Sequence, residues 1–286
     1  MVKAKLRHFA LGLLTFGVVI ILWGAWVRIS GSGDGCGKHW PLCHGELFPS
    51  GSWYHQLQTW IEFAHRAKSG LFGILVFLHS WLVWRWVPTL RGLALATSLF
   101  TIAEALLGAL LVLGGYVDTN DSLGRTIIIA CHLGNTLLLI GSITCLWAAL
   151  ADNAKAIPIR QLIKQLRVPF LIVFLIATTG AWAALSSTLF PSNGLAEGLI
   201  ADFSSTSHFL IRIRIMHPLV AIIGTYYLWR WRSSKIDLLS NLLFLQLLCG
   251  LFTLILHGPV VLKIFHLLMA QLLWIGLVKE SSTEKI

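Results

Sequence analysis

Charge is what this chain lacks. Only 12% of its 286 residues are Asp, Glu, Lys or Arg, against roughly a quarter in soluble domains, while 56% are hydrophobic and the mean hydropathy is +0.77. That shortage excludes a soluble globular domain and leaves an integral membrane protein. A basic surface interleaved with aromatic residues is also missing, which excludes nucleic-acid binding despite a formal charge of +10. Acids are few, and Glu104 alone suits a proton-coupled transporter, which would use intramembrane acids and broken helices near the midplane. A transporter therefore ranks last. No small-residue cleavage site with a soluble domain after it follows the first apolar segment, so that segment is expected to stay as a helix, not to act as a secretory signal.

What is present is a set of long apolar stretches. Runs of about 20 apolar residues fall near 9–29, 61–84, 92–114, 126–150, 168–188, 208–229, 238–256 and 260–278. These predict an all-α integral membrane protein of eight transmembrane helices, arranged as two duplicated four-helix bundles. Lys3, Lys5, Arg7, Arg85, Arg91, Lys155, Arg160, Lys164, Arg167, Arg230, Arg232, Lys235, Lys279 and Lys285 all fall on one side, 14 of the 22 basic residues. Short cytoplasmic loops carry such an excess, so both termini are expected in the cytoplasm, with the basic side against anionic lipid headgroups of the plasma membrane.

The two halves repeat. Gly24-Ala25-Trp26 recurs as Gly180-Ala181-Trp182, the run from Glu104 to Gly108 recurs from Gln246 to Gly250, and His132-Leu133 recurs as His266-Leu267. Both halves enter from the cytoplasm, which implies a parallel duplication about an axis along the membrane normal. The expected division is residues 1–151, a basic linker at 152–167, and residues 168–286.

Four histidines, His65, His132, His217 and His266, each stand near the outer end of a separate span. A single membrane histidine is more often a hydrogen-bonded packing residue than a ligand. Four at matched depth, two per half, fit packing poorly. Imidazole is a strong axial donor to haem iron, and facing helices of a four-helix bundle commonly hold a cofactor. The simplest pairing is His65 with His132 and His217 with His266, giving two haem sites toward the outer face. Zinc would need three or four ligands converging on one point, which a two-and-two division does not offer.

Glu62 stands three residues before His65, hence on the same helix face. A carboxylate beside a haem edge can perform acid–base work; the plainer alternative is an i,i+4 ion pair with Arg66. The matching stretch of the second half, Arg212 to Pro218, has no acid there, so the first half is expected to change its haem and the second to relay electrons. Glu104 is read as a neutral, hydrogen-bonded core residue in preference to a proton-path element. In the first outer loop, Cys36 and Cys43 have six residues between them. Outside the cytoplasm they can form a disulfide, with unlinked thiols or a metal clip completed by His39 and His44 as alternatives. Such a bridge would serve as a fixed staple for a lid over the first haem site or as a redox-active pair. Cys131, Cys145 and Cys249 lie in helices and read as packing residues.

A dihaem b-type cytochrome passing electrons from quinol is the competing reading. Its sign is two histidines about four turns apart on one helix, and His65 with His79 shows a separation of 14 residues. Leu146 stands where the second helix should answer it.

The run Glu62-Phe63-Ala64-His65-Arg66, the loop Gly31-Ser32-Gly33-Asp34-Gly35-Cys36 continuing to Trp40-Pro41-Leu42-Cys43-His44-Gly45, the later helix histidines and the duplicated plan resemble the heme A synthase family across almost the whole chain. The resemblance implies an oxidoreductase that converts a ring methyl of heme O to a formyl group through hydroxylated intermediates, giving heme A for cytochrome oxidase assembly. It implies that His65 and His132 flank the substrate haem, that Glu62 is the catalytic carboxylate, that His217 and His266 bind a b-type haem cofactor, and that Cys36 and Cys43 form an outer-face disulfide. Heme O synthase is the implied partner; the electron acceptor and any homo-oligomer stay open. Two features depart from the family. Residues 188–203 contain no cysteine, where some members carry a second pair, and Pro218 follows His217 where an arginine often stands. Arg212 and Arg214 are the nearest substitutes.

Overall fold

The structure, a computed structural model, describes residues 1–50, 52, 55–151, 158–232 and 236–282, and among these no named β-strand occurs. Eight helical spans are long and apolar enough to cross a membrane, and the chain is a multi-pass membrane protein. They are α1 (Val2–Ile29), α2 (Leu57–Trp86), α3 (Arg91–Leu113), α4 (Leu123–Ala149), α5 (Ile159–Leu189), a sixth span built from α7 (Phe209–Arg214) and α8 (Met216–Trp231), α9 (Leu238–Ile255) and α10 (Val260–Ser282). A short helix, α6 (Leu195–Phe203), lies in the connection after α5 and was not expected.

Local chemistry sets the helix ends. Ser122 caps α4 by accepting the Arg125 N–H, and Asp237 with Ser240 closes a capping box on α9. Pro158 and Pro259 stand immediately before α5 and α10, where a missing N–H costs nothing. The sixth span is interrupted at Ile215. Pro218 explains it, because the ring donates no hydrogen bond to the Arg214 carbonyl four residues earlier.

Helices α1 to α4 pack on one another, as do α5 and α7 to α10, and the two sets meet along a seam. There α4 faces α10, α4 also packs on α5, and α10 also packs on α1. Small residues let the helices approach: Gly141 of α4 receives the Trp274 ring, and Gly134 receives Phe174. The Trp274 indole donates to the Leu137 carbonyl at 2.9 Å. Leu137, Ile140 and Ile143 are consequently buried, whereas Leu71, Ile74 and Trp81 of α2 face outward, as a lipid-facing surface requires.

On the face that carries the N-terminus, Arg7 and Lys279 lie over the Trp147 ring, and Arg85 and Arg91 over Trp86 and Trp84, as basic and aromatic side chains do at a membrane interface. Arg232, only 2% exposed, bridges Asp237 at 2.5 Å and Glu280 at 2.6 Å. The stretch expected as a linker, 152–167, is helical from Ile159 onward, so Arg160, Lys164 and Arg167 form the first turns of α5. Residues 152–157 lie outside the described residues, as do Lys155, Lys235 and Lys285 of the topology reading.

Candidate functional site

His65, His217 and His266 each lie close against a glycine of the preceding span, and His132 is in ordinary contact with one. A Cβ built on Gly24 of α1 would stand 3.0 Å from His65 Cε1, and one on Gly180 of α5 would stand 2.9 Å from His217 Cε1. On Gly250 of α9 it would stand 3.1 Å from His266 Cε1, and on Gly108 of α3 it would stand 3.9 Å from His132 Cε1. These are the glycines of the two sequence repeats. The repeats marked the duplication; in the folded chain they also supply the flat seats on which the imidazoles rest.

Two of the histidines also form a pair. His217 and His266 have ring centroids 6.3 Å apart with planes at 83°, a gap that two imidazole–metal bonds of about 2 Å each would largely fill. The Nδ1 atoms of His65, His132 and His266 are buried without a hydrogen bond, a costly state for a polar group. His217 Nδ1 lies 3.4 Å from Thr179 Oγ1, and Gln246 Nε2 lies 3.3 Å from His266 Nε2. Imidazoles that face one another against glycines fit haem ligation. Among the described residues no group of three or more His, Cys, Asp or Glu could hold a metal ion, so the clip of His39 and His44 with the cysteines is not formed.

Glu62 and Arg66 form the ion pair, Oε1 accepting from Nε at 3.0 Å and from Nη2 at 2.5 Å. They also do something the sequence did not show. Glu62 Oε2 accepts the Cys36 N–H at 2.7 Å, while the Arg66 guanidinium donates to the carbonyls of Gly37, His39 and Leu42. One acid and one base, a turn apart on α2, thus hold the outer loop over the start of that helix. Cys36 and Cys43 are disulfide-bonded, with Cα atoms 4.4 Å apart, and buried. Gly35 is required by close approach: a Cβ there would meet the α2 backbone at Thr59 N, 2.8 Å away.

The second half solves the same problem with opposite charge. Arg214 stands three residues before His217, the place of Glu62 in the first half, and reaches Asp202 of α6 at 2.5 Å and the Gly198 carbonyl at 3.0 Å. Helix α6 with this pair occupies the region where no cysteines stand. Of the two arginines considered as substitutes beside Pro218, Arg214 is engaged with the loop and Arg212 is exposed.

His79 is fully buried, its Nε2 is 3.1 Å from the Leu6 carbonyl and Phe9 packs edge-on to it. Its surroundings are those of a packing residue. Glu104 is hydrogen-bonded, as expected, to Asn135 Nδ2 at 2.6 Å and to Thr136 Oγ1. The sequence did not show that Glu104 Oε1 also lies 3.5 Å from His132 Nδ1; i,i+28 contacts between helices leave no local signature.

Over residues 7–278 the chain matches the family described as cytochrome oxidase assembly protein, COX15-CtaA. Two proteins of Thermus thermophilus strains, both named protoheme IX farnesyltransferase, are 35% identical to it over 294 residues, which is 95% of this chain and 47% of theirs. The chain therefore spans about half the length of those relatives. Heme A synthases of Bacillus cereus and Bacillus anthracis are 29% identical over 283 residues, 90% of this chain and 86% of theirs.

Proposed function

The chain belongs to the cytochrome oxidase assembly family COX15-CtaA, and from that premise we propose that it acts as a heme A synthase. The reaction is oxidation of a ring methyl of heme O to a formyl group through hydroxylated intermediates, supplying heme A to cytochrome oxidase. The observation that carries this reading is the histidines against glycines of neighbouring helices, His65 at Gly24, His217 at Gly180 and His266 at Gly250, with the His217 and His266 rings 6.3 Å apart.

The two halves divide the work, residues 1–151 holding the substrate and residues 168–286 the cofactor. His65 and His132 would hold the substrate iron by their imidazole nitrogens, and Gly24 fixes how far the His65 ring stands from α1. Glu62, one turn before His65, takes a proton from or returns it to the substrate edge at its carboxylate. The disulfide loop, clamped by Arg66, keeps bulk water from that carboxylate. His217 and His266 hold a b-type haem, which supplies one-electron transfer when bound.

Both termini lie in the cytoplasm and the histidines toward the outer face of the plasma membrane, supported by the positive charge at the N-terminal face. The farnesylated substrate comes from a heme O synthase. Supporting this, proteins named protoheme IX farnesyltransferase contain a segment 35% identical to this chain. The test is haem extraction from cells that make heme O, carrying this chain, its Glu62→Ala variant or neither. Heme A or hydroxylated heme O with the native chain alone supports the assignment. Equal product with Glu62→Ala removes the catalytic role of Glu62, and no product with the native chain overturns the function.

A further inference from the structure

We infer that Glu104 is a positioning residue that orients His132 and strengthens it as an iron donor, so that the first-half iron is more electron-rich than the second-half iron. The inference rests on the reading that His132 and His266 are haem ligands. A neutral imidazole that gives Nε2 to a metal carries its proton on Nδ1, and that proton needs an acceptor. His132 Nδ1 is buried and makes no hydrogen bond. The Glu104 carboxyl oxygen Oε1 stands 3.5 Å from it, so a small turn of the imidazole closes the bond.

Glu104 is itself held for this task. Asn135 Nδ2 donates to Oε2 at 2.6 Å and to the Phe100 carbonyl at 2.9 Å, tying the side chain to α3 and α4 together. Thr136, one turn after His132 on α4, contacts Oε1 and the His132 carbonyl. The carboxyl group thus lies between α3 and α4 with a fixed direction toward the imidazole.

The repeat provides the contrast. Gln246 occupies the matching position, four residues before Gly250 as Glu104 is four residues before Gly108. Its amide nitrogen lies 3.3 Å from His266 Nε2 and donates to the His266 carbonyl at 3.1 Å, so it does not reach His266 Nδ1, which is buried without a hydrogen bond. A carboxyl oxygen that accepts the Nδ1 proton leaves more electron density on the ligating nitrogen than an Nδ1 without an acceptor does. Greater donation favours the oxidised iron and lowers its midpoint potential. The second half keeps the glycine and the histidine but, among the described residues, places no acceptor at the His266 imidazole Nδ1.

The test is spectroelectrochemical titration of the purified, haem-loaded protein in its native, Glu104→Gln and Gln246→Glu forms, with haem per chain measured on each. Glu104→Gln should raise the first-half midpoint and leave the second unmoved, and Gln246→Glu, whose side chain stands at the other ring nitrogen of its own histidine, should leave the first-half midpoint unmoved. An unmoved first-half midpoint in Glu104→Gln, with haem content retained, overturns the role of Glu104. A first-half haem that survives His132→Ala instead overturns the ligand assignment beneath it.

Discussion

Gly180 lies beneath His217 so closely that a methyl group on its Cα would stand 2.9 Å from the imidazole Cε1. Gly24 has the same relation to His65 at 3.0 Å. Overpacking of this kind costs about 1–3 kcal/mol or moves the ring. Gly180→Ala is expected to lower second-half haem occupancy and Gly24→Ala first-half occupancy. Gly12→Ala, with nothing within 4 Å of the new methyl, is expected to change neither. Haem per chain by absorbance, alongside a thermal melt, checks the series; equal loss in all three variants would remove the seating role.

Arg66 is the sole side chain among those described that ties Glu62 to the carbonyls of Gly37, His39 and Leu42 together. Arg66→Ala strands a buried carboxylate and frees the loop, a loss of about 3–5 kcal/mol for a buried pair broken on one side. The rate at which a soluble phosphine reduces the Cys36–Cys43 bond should rise in this variant. Arg66→Lys keeps the charge but cannot span the same set of acceptors, and should fall between.

How much of this was legible beforehand depended on whether the signal was local. Spans were legible because membrane thickness sets a length, and all eight apolar runs coincide with helices. The break at Ile215 has a local signal in Pro218, whereas α6, a short helix in a loop, has none. Histidine depth could be counted along each span. The glycine seats could not be recognised as seats, since a repeat records register but not which neighbour a residue faces. Glu62 was singled out from its spacing to His65, yet its bond to the Cys36 N–H joins residues 26 positions apart. The approach of Glu104 to His132 was hidden for the same reason.

His79→Ala is expected to lower stability by about 1–3 kcal/mol, through the vacated space and the lost bond to the Leu6 carbonyl, without changing haem content. Melting temperature and haem per chain, measured together, check this. Loss of one haem per chain would return the dihaem cytochrome to consideration.

Asp237 is held down to about 2, chiefly by the hydrogen bond from Arg232, whose own value is raised because its bonds to Asp237 and Glu280 outweigh the lowering effect of burial. A carboxyl group held below its ordinary value of 3.8 stabilises the fold above that value, and the contribution is lost as pH falls from about 4 to about 2. Asp237→Asn keeps a side-chain cap for α9 and removes the charge. The gap in melting temperature between native and variant protein should therefore be present at pH 6 and close near pH 2. A gap of constant size across that range would assign it to the cap.

The division of labour between the halves is tested most directly by extracting and identifying the haems of purified His132→Ala and His217→Ala proteins from cells that make heme O. The account predicts that His217→Ala loses heme B and keeps heme O, its hydroxylated forms or heme A, and that His132→Ala shows the reverse. Loss of the same haem from both variants, or full haem content in either, would contradict it.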